Sequence, residues 1–222
     1  MRLGALLFDL DGTLLDSAPD LAGTANDMRV ARGHAALPYE QLRPHAGSGA
    51  RGMLGQAFAI TASDERYAAL RDEFHDRYEA RMLQNTKVFA AVHELADVLH
   101  RLACPWGIVT NKSLRFSAPL VNALAPLART GTLVGGDSTP FAKPRPEPLL
   151  EAARRLNVDP LNCAYVGDDP RDMQAAHAAG MQAWAAAWGY LGMQSPVQDW
   201  GAHRVFHELP ALIEHLQSGE VA

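Results

Sequence analysis

Two aspartates, Asp9 and Asp11, directly follow the apolar run ALLF at 5–8. Two carboxylates at such close range repel each other, so either a cation lies between them or one holds a proton. Both conditions suit phosphoryl transfer, because one carboxylate can attack phosphorus and the other can protonate the leaving alcohol. Gly12 permits a tight backbone turn at this point, where a ligand can approach. A pair of this kind could also simply cap a loop.

A hydroxyl and an amide, Thr110 and Asn111, end a second apolar run within GIVTNK (107–112). Such groups can bind phosphate oxygens, although helix N-caps use the same residue types. Lys143 in FAKPRPEP (141–148) is a candidate to balance charge at the phosphate, the alternative being a solvated surface lysine. We therefore assign phosphate binding to Gly12, Thr110, Asn111 and Lys143.

Three carboxylates, Asp168, Asp169 and Asp172, follow another apolar run in YVGDDPRD (165–172). Helix N-termini favour acidic residues, but three acids in five residues exceed what capping requires. Oxygen ligands of this kind suit Mg²⁺. We expect Asp168 to bind the metal directly and Asp172 to reach it through a water or through Lys143. Whether Asp169 or Asp172 is the second acid at the metal stays open.

The apolar runs that carry these clusters have the length of strands buried on both faces. They lie at 4–13, 106–112, 131–137, 163–169 and 182–190, with helix-like segments at 90–103, 116–126, 147–157 and 171–180. This alternation predicts an α/β fold with a parallel sheet. Ligands bind at the carboxyl ends of such strands, which is where every polar cluster falls.

Residues 16–85 interrupt the alternation, because they read as helical throughout. We therefore predict a discontinuous core (1–15 and 86–222), an inserted helical cap domain (16–85) and hinges at 14–20 and 83–90. Within the cap, the glycine-rich RPHAGSGARGM (43–53) would open a helix whose N–H groups can face a substrate. Ser48, Gly49 and Arg51 are the candidate contacts there. Arg51 could bind a carboxylate or the phosphate in bidentate fashion, or be an ordinary surface arginine.

The net charge of −5 and the pI of about 6.0 give no reason to expect nucleic acid or an anionic membrane as a partner. No apolar run approaches the roughly 20 residues of a membrane span, and no signal-peptide pattern follows Met1. We expect a cytoplasmic enzyme. The sequence predicts no particular oligomeric state. Phe116 and Tyr190 are further candidates to line the cleft.

The chain resembles the haloacid dehalogenase superfamily of phosphohydrolases in four motifs that follow one another in the same order. They are a DxDGT run, a strand-end threonine, Lys-Pro and a GDDxxxD-like acidic run. The resemblance covers the whole chain and implies a Rossmann-like core with an α-helical cap inserted after the first motif. It implies that Asp9 is the nucleophile, Asp11 the general acid and base, Thr110 the phosphate-binding residue and Lys143 the charge-balancing lysine. Mg²⁺ would be held by Asp9, Asp168 and the backbone carbonyl of Asp11.

Within the superfamily, three segments are similar to those of the phosphoglycolate phosphatases: FDLDGTLLDSAPDL, KPRPEPLL and VGDDPRDMQAAHAAGM. SGARGML and WGIVTNKSLRF are similar to a sister group that acts on N-acetylmuramic acid 6-phosphate in cell-wall recycling. The groups share catalytic motifs, which therefore do not decide the substrate. We expect Mg²⁺-dependent hydrolysis of a small phosphorylated metabolite through an aspartyl phosphate, with phosphoglycolate first.

Three other functions compete with this interpretation. A dehalogenase attacks carbon and has no need of Asp11. A phosphomutase, similar to β-phosphoglucomutase, shares nearly all the motifs but passes the phosphate back to a sugar. A non-enzymatic phosphate-binding module would be expected to lack one of Asp9, Asp11, Lys143 or Asp168, and this chain has all four.

Overall fold

The computed structural model describes residues 3–192 and 195–218. Its strands are β1 (Ala5–Phe8), β2 (Leu15–Asp16), β3 (Lys87–Val88), β4 (Trp106–Val109), β5 (Thr132–Val134), β6 (Cys163–Gly167), β7 (Gln182–Ala186) and β8 (Arg204–Phe206). Its helices are α1 (Ala18–Val30), α2 (Tyr39–Leu42), α3 (Gly49–Phe58), α4 (Tyr67–Arg81), α5 (Val92–Arg101), α6 (Leu114–Ala123), α7 (Glu147–Leu156), α8 (Pro170–Ala178) and α9 (Leu209–Gln217).

Six of the strands form one sheet in the order β5-β4-β1-β6-β7-β8, and every neighbouring pair in it is parallel. The chain adds β4 and β5 on one side of β1 and then adds β6, β7 and β8 on the other. β1 thus lies where the direction of growth reverses, and the crevice at the carboxyl ends of strands at such a point is the usual ligand site. The predicted α/β fold with a parallel sheet is confirmed.

Both faces of β1 are buried, as its unbroken apolar run predicts. Leu6 and Phe8 belong to one apolar cluster, together with residues of α5, α6 and α9. Ala5 and Leu7 point to the other face and join residues of α7 and α8. The end of β1 therefore emerges from a layer that holds it on both sides.

The helices between β2 and β3 bury their apolar side chains against one another. Met28 of α1, Leu54 of α3 and Phe74 of α4 are at most 1% exposed. All three belong to the same cluster as Leu6 and Phe8 of β1, so the apolar packing runs from the sheet into the inserted helices. Of the described helices, none is long and apolar enough to cross a membrane.

The sequence patterns did not predict β8 and α9. β8 is a three-residue strand at the edge of the sheet, and its first residue, Arg204, is exposed. Only Phe206 of this strand is buried, so the strand has no continuous apolar run that would mark it in the sequence. Its place in the sheet comes from pairing with β7, in which Ala185 lies opposite Val205.

The two segments that join the sheet to the inserted helices run alongside each other. β2 and β3 pair antiparallel, within the predicted hinge segments 14–20 and 83–90. Asp20, fully buried at the start of α1, accepts hydrogen bonds from the backbone N–H groups of Asn85 (2.9 Å) and Thr86 (2.8 Å). The side chains of both residues also donate to it, at 3.0 and 2.9 Å. One carboxylate thus ties the outgoing segment to the returning one; the domain boundaries at 15/16 and 85/86 stay a prediction.

Replacing this carboxylate should destabilise the protein strongly. Asp20→Ala is expected to lower the free energy of unfolding by about 2–4 kcal/mol, because buried donors lose their acceptor. Chemical denaturation followed by circular dichroism measures the change.

Asp27→Ala, on the same helix, is the matched control. The Asp27 side chain is 55% exposed and pairs with Arg81, so its loss should cost about 0.5 kcal/mol or less. Equal effects of the two substitutions would contradict the role given to Asp20.

Candidate active site

Asp9 stands at the carboxyl end of β1. Its backbone N–H continues the sheet by donating to the carbonyl of Val166 in β6, at 2.8 Å. Its side-chain Oδ1 accepts from the N–H of Leu10 at 2.7 Å and lies 3.0 Å from Nζ of Lys143. The sheet therefore orients this carboxylate, and a buried ammonium faces it.

Lys143 is the most heavily engaged side chain of the site. Its Nζ lies 2.8 Å from Oδ1 of Asp172 and 3.0 Å from Oδ1 of Asp9, and it donates to the hydroxyl of Tyr165 (2.6 Å) and the carbonyl of Val109 (3.2 Å). Burial disfavours its charged form, but Asp172 and Asp9 outweigh this and hold the pKa of Lys143 above its ordinary value. The ammonium is therefore charged at neutral pH.

Asn111 holds the backbone that carries this lysine. Its side-chain Nδ2 donates to the carbonyl of Lys143 at 3.0 Å, and its Oδ1 accepts the N–H of the same residue at 2.9 Å. The amide predicted to bind phosphate is thus engaged with Lys143. Thr110, its neighbour, lines the cavity, and its hydroxyl oxygen accepts the N–H of Lys112 at 3.1 Å.

Asp168 is buried at the end of β6 and accepts two hydrogen bonds from neutral donors. Thr13 donates its hydroxyl to Oδ1 at 3.0 Å, and Tyr190 donates its backbone N–H to Oδ2 at 2.8 Å. Burial and the nearby negative charges of Asp9 and Asp172 hold the pKa of Asp168 well above its ordinary value. An ionised Asp168 thus lacks a positive partner among the described residues.

Of the two acids left open by the sequence, the structure brings Asp172 to this cluster. Carboxylate oxygens of Asp9, Asp168 and Asp172 all lie within 4.8 Å of one another. Asp172 has its own partners, since Oδ1 meets Lys143 and Oδ2 accepts the N–H of Asp169 at 3.0 Å. Even so, burial raises the pKa of Asp172 to about 7.

The donor set fits a divalent cation of the Mg²⁺ type. The ammonium of Lys143 pairs with Asp9 and Asp172, and no described cation pairs with Asp168, so the three carboxylates carry more negative charge than one lysine balances. All three are hard oxygen ligands, the kind that Mg²⁺ prefers. Lys143 already neutralises Asp172, which leaves Asp168 and Asp9 as the pair that would touch the ion.

Gly12 lets the loop after β1 lie directly against Asp168. Its φ is +83°, and a Cβ at this position would lie 2.2 Å from Oδ2 of Asp168. On the other side, a Cβ on Gly189 would lie 2.3 Å from Cβ of Asp168. Both glycines therefore leave room for the buried carboxylate of Asp168. This close approach, in addition to the tight turn that the sequence indicates, explains why Gly12 has no side chain.

Asp169 caps helix α8 and also holds Arg171, which contacts the inserted segment. It N-caps α8 and forms a bidentate pair with Arg171, at 2.7 and 2.8 Å. The same Arg171 donates to the carbonyl of Gly47 in the inserted segment at 3.0 Å. Both side chains line the cavity, so this pair joins the rim of the sheet to the glycine-rich loop.

The cap residues predicted to meet substrate divide into two groups. Ser48 and Gly49 line a cavity of about 300 Å³ that has Asp9 and Lys143 among its other lining residues. Arg51 is exposed and is not among the lining residues. Two positions along a helix differ by about 200° in direction, so Arg51 cannot share the side of α3 that Gly49 presents. The geometry gives no support to its predicted contact.

The sequence analysis missed Lys112 and Tyr78. The Nζ of Lys112 lies 3.2 Å from Oδ2 of Asp11 and donates to the hydroxyl of Tyr78, on α4, at 3.1 Å. Burial opposes its charge, but Asp11 and Tyr78 outweigh this and raise the pKa of Lys112. Lys112 belongs to the quoted motif GIVTNK, so its position beside Thr110 was an available signal. Tyr78 lies 34 residues away along the chain, and its α4 pattern indicates only packing.

Of the two aromatic candidates, Phe116 lines the cavity. Tyr190 is not among the lining residues. Its N–H holds Asp168, as described above, and its hydroxyl accepts the N–H groups of Ser17 (2.8 Å) and Ala18 (2.9 Å). It thus connects the acidic cluster to the start of α1.

Known proteins match this chain along nearly its whole length. A phosphoglycolate phosphatase of Xanthomonas campestris pv. campestris is 44% identical over 211 residues, 95% of each chain. An N-acetylmuramic acid 6-phosphate phosphatase of Pseudomonas putida is 38% identical over 202 residues, 91% of each chain. The crystal structure of a predicted phosphoglycolate phosphatase from Haemophilus somnus has a TM-score of 0.84 at 23% identity, covering 96% of this chain and 98% of that one, which shows a shared fold.

The family model described as haloacid dehalogenase-like hydrolase matches residues 6–186, from within β1 to the end of β7. The match spans the strand ends that carry the acidic cluster and both lysines, together with the inserted helices. The predicted resemblance is confirmed, and the chain belongs to the haloacid dehalogenase-like hydrolases.

Proposed function

We propose that this hydrolase is a Mg²⁺-dependent phosphatase that cleaves 2-phosphoglycolate through an aspartyl-phosphate intermediate. The observation that carries the proposal is the Asp9 carboxylate, 3.0 Å from the ammonium of Lys143, on the wall of a cavity of about 300 Å³. The 44% identical relative named as a phosphoglycolate phosphatase supports the substrate.

Asp9 is the nucleophile. Both of its side-chain contacts, to Lys143 and to the N–H of Leu10, fall on Oδ1, which leaves Oδ2 to attack phosphorus. A bond from Oδ2 to phosphorus forms while the bond from phosphorus to the ester oxygen breaks. Lys143 offsets negative charge beside the transferring phosphoryl group, and Thr110 lines the same space.

Asp11 moves the protons. In the first step it donates a proton to the ester oxygen, which leaves as the alcohol of glycolate. In the second step it accepts a proton from the water that attacks phosphorus, which frees phosphate and restores Asp9. Ser17 and Lys112 hold its two oxygens, at 2.5 and 3.2 Å, so the carboxyl is positioned for both transfers.

Asp9, Asp168 and the backbone carbonyl of Asp11 would hold Mg²⁺. When bound, the ion would neutralise charge on the phosphoryl oxygens and the repulsion among the carboxylates. Asp172 then acts through Lys143, whose Nζ it holds at 2.8 Å.

The inserted helices act as a cap on this site. The contacts of Arg171 with Gly47 and of Lys112 with Tyr78 join the sheet's loops to the insertion. Ser48 lines the cavity from the same side. We propose residues 16–85 as the domain that excludes water and selects the leaving group.

N-acetylmuramic acid 6-phosphate is the second candidate substrate, because the relative that is 38% identical carries that name. A cavity of about 300 Å³ stands at the small end of the range for small-molecule sites, and this favours the smaller acid. A phosphomutase reaction remains the third candidate, because it uses the same nucleophile.

Phosphate release from four esters separates these candidates. The panel is 2-phosphoglycolate, N-acetylmuramic acid 6-phosphate, glucose 6-phosphate and β-glucose 1-phosphate, compared by kcat/KM with Mg²⁺. We expect phosphoglycolate to lead by at least tens-fold. The same lead for the muramic acid ester would transfer the assignment to the second candidate. Conversion of β-glucose 1-phosphate to its isomer without free phosphate would indicate the mutase.

Asp9→Asn should abolish turnover while the protein stays folded. The amide cannot form the aspartyl ester, so kcat should fall by more than about 1,000-fold, whereas the apolar environment of β1 is unchanged. Phosphate release measures the loss, and circular dichroism checks the fold.

Asp97→Asn is the control, since the side chain of Asp97 is 60% exposed and pairs with Arg129 at the surface. It should retain wild-type kcat. If Asp9→Asn kept more than a tenth of the wild-type rate, the nucleophile would have to be another group.

Removal of the metal should make stability depend on pH through Asp168. Its folded pKa is held well above the unfolded value, so the folded protein keeps a proton that the unfolded chain has lost. Stability contributed by that proton is present below about pH 4 and is lost as the pH rises. In EDTA, the free energy of unfolding of the wild type should therefore fall from about pH 4 to 7 relative to that of Asp168→Asn.

Mg²⁺ should reverse this trend, because it takes the place of the proton. The rise in Tm on adding Mg²⁺ should grow with pH in the wild type and be absent in Asp168→Asn. Thermal unfolding at a series of pH values measures both. Equal Mg²⁺-induced shifts in the two proteins would exclude Asp168 as a ligand.

A further inference from the structure

Three permanently charged cations of the described chain line the cavity: Lys112, Lys143 and Arg171. Lys143 has four partners at its Nζ, two of them carboxylates, as described above. Arg171 forms a bidentate pair with Asp169, which neutralises its charge on the α8 side of the site. Lys112 remains, and it is the cation nearest to the acid that protonates the leaving group.

The ammonium of Lys112 has donor capacity to spare. An ammonium has three N–H donors, and the described residues engage two of them, with Asp11 at 3.2 Å and Tyr78 at 3.1 Å. The side chain is only 9% exposed, and the apolar rings of Phe74 and Phe116 line the same cavity. A substrate carboxylate placed there loses its hydration and needs a cation partner.

We propose that the ammonium of Lys112 binds the carboxylate of 2-phosphoglycolate and thereby selects esters that carry an acid next to the leaving oxygen. This inference rests on the proposed function and deepens it. It gives Lys112 the role in substrate selection that the sequence suggested for Arg51, which is exposed and outside the cavity.

Bond lengths make the match specific. In phosphoglycolate a single CH₂ group separates the ester oxygen from the carboxyl carbon, so the carboxylate oxygens lie roughly 3 Å from the ester oxygen. Asp11 must reach the ester oxygen, and Lys112 lies 3.2 Å from Asp11. One small substrate can therefore meet both side chains at the same time.

The muramic acid ester does not have this geometry. Its carboxylate belongs to a lactyl group on the far side of the sugar ring from the 6-phosphate. With its ester oxygen at Asp11, the ring would lie between that oxygen and the carboxylate. Lys112 would then face sugar hydroxyls, which gain much less from a cation than a carboxylate does.

Tyr78 makes this contact depend on the inserted helices. It is buried on α4, its hydroxyl accepts from Lys112, and its ring lies 4.7 Å from the ammonium. A side chain of the insertion thus positions a cation that is carried by the loop after β4. The selecting group is assembled from both parts of the chain.

The test compares two esters of nearly equal size, 2-phosphoglycolate and ethyl phosphate, which lacks the carboxylate. We expect the wild type to prefer phosphoglycolate. Because Lys112 also holds Asp11, Lys112→Met should lower kcat/KM for both esters. The loss for phosphoglycolate should exceed the loss for ethyl phosphate at least about tenfold, which corresponds to one charge-assisted hydrogen bond. Lys112→Arg, which keeps the charge, should retain part of the preference.

Lys87→Met is the matched control, because Lys87 is the one other lysine of the chain besides Lys112 and Lys143 and is exposed on β3. It should behave as the wild type with both esters. Thermal unfolding checks that each variant folds. If Lys112→Met does not fold, Lys112→Gln, which can still donate to Tyr78, is judged by the same ratio of the two esters.

The results distinguish a failure of this inference from a failure of the proposed function. A wild-type preference that survives in Lys112→Met overturns the inference alone. Equal losses on both esters also overturn it, because Lys112 would then act on Asp11 and not on the carboxylate. A wild type that shows no preference for phosphoglycolate over ethyl phosphate overturns the proposed function, and this inference with it.

Discussion

The ammonium of Lys143 is the interaction on which the site depends. It lies between Asp9 and Asp172, at 3.0 and 2.8 Å, with almost no solvent exposure. Isolated charges at this depth would be costly, and they persist because each is paired and hydrogen-bonded. Removing the lysine would leave the buried Asp172 and the partly buried Asp9 facing each other without a counter-charge, which would destabilise the packing of the strand end against the helix start.

The parallel sheet sets this interaction up. β1 lies between β4 and β6, so the carbonyl of Val109, the hydroxyl of Tyr165 and the carboxylate of Asp9 all reach the same ammonium. One positive charge does not balance the nearby carboxylates, and Asp168 carries the surplus. The resulting raised pKa of Asp168 marks a place where charge is still missing. The three carboxylates there are oxygen ligands that fit a divalent cation of the Mg²⁺ type.

Polar side chains also connect the inserted helices to the sheet. Asp20 ties the two crossing segments, Arg171 reaches Gly47, and Lys112 reaches Tyr78. Two of these three links end in residues that line the cavity. The same few hydrogen bonds therefore hold the inserted helices against the site.

The sequence by itself determined the fold class and the four motif positions, because buried parallel strands are continuous apolar runs and their ends carry the polar residues. Asp9 and Asp168 could be chosen in this way because each follows such a run, and Lys143 because it shortly precedes a helix start. The tertiary structure alone decided that Asp172 and not Asp169 joins the acidic cluster, that Arg51 lies outside the cavity, and that Lys112 faces Asp11. All three outcomes depend on how segments far apart in the chain pack together. Local periodicity contains no information on which side chains of such segments meet.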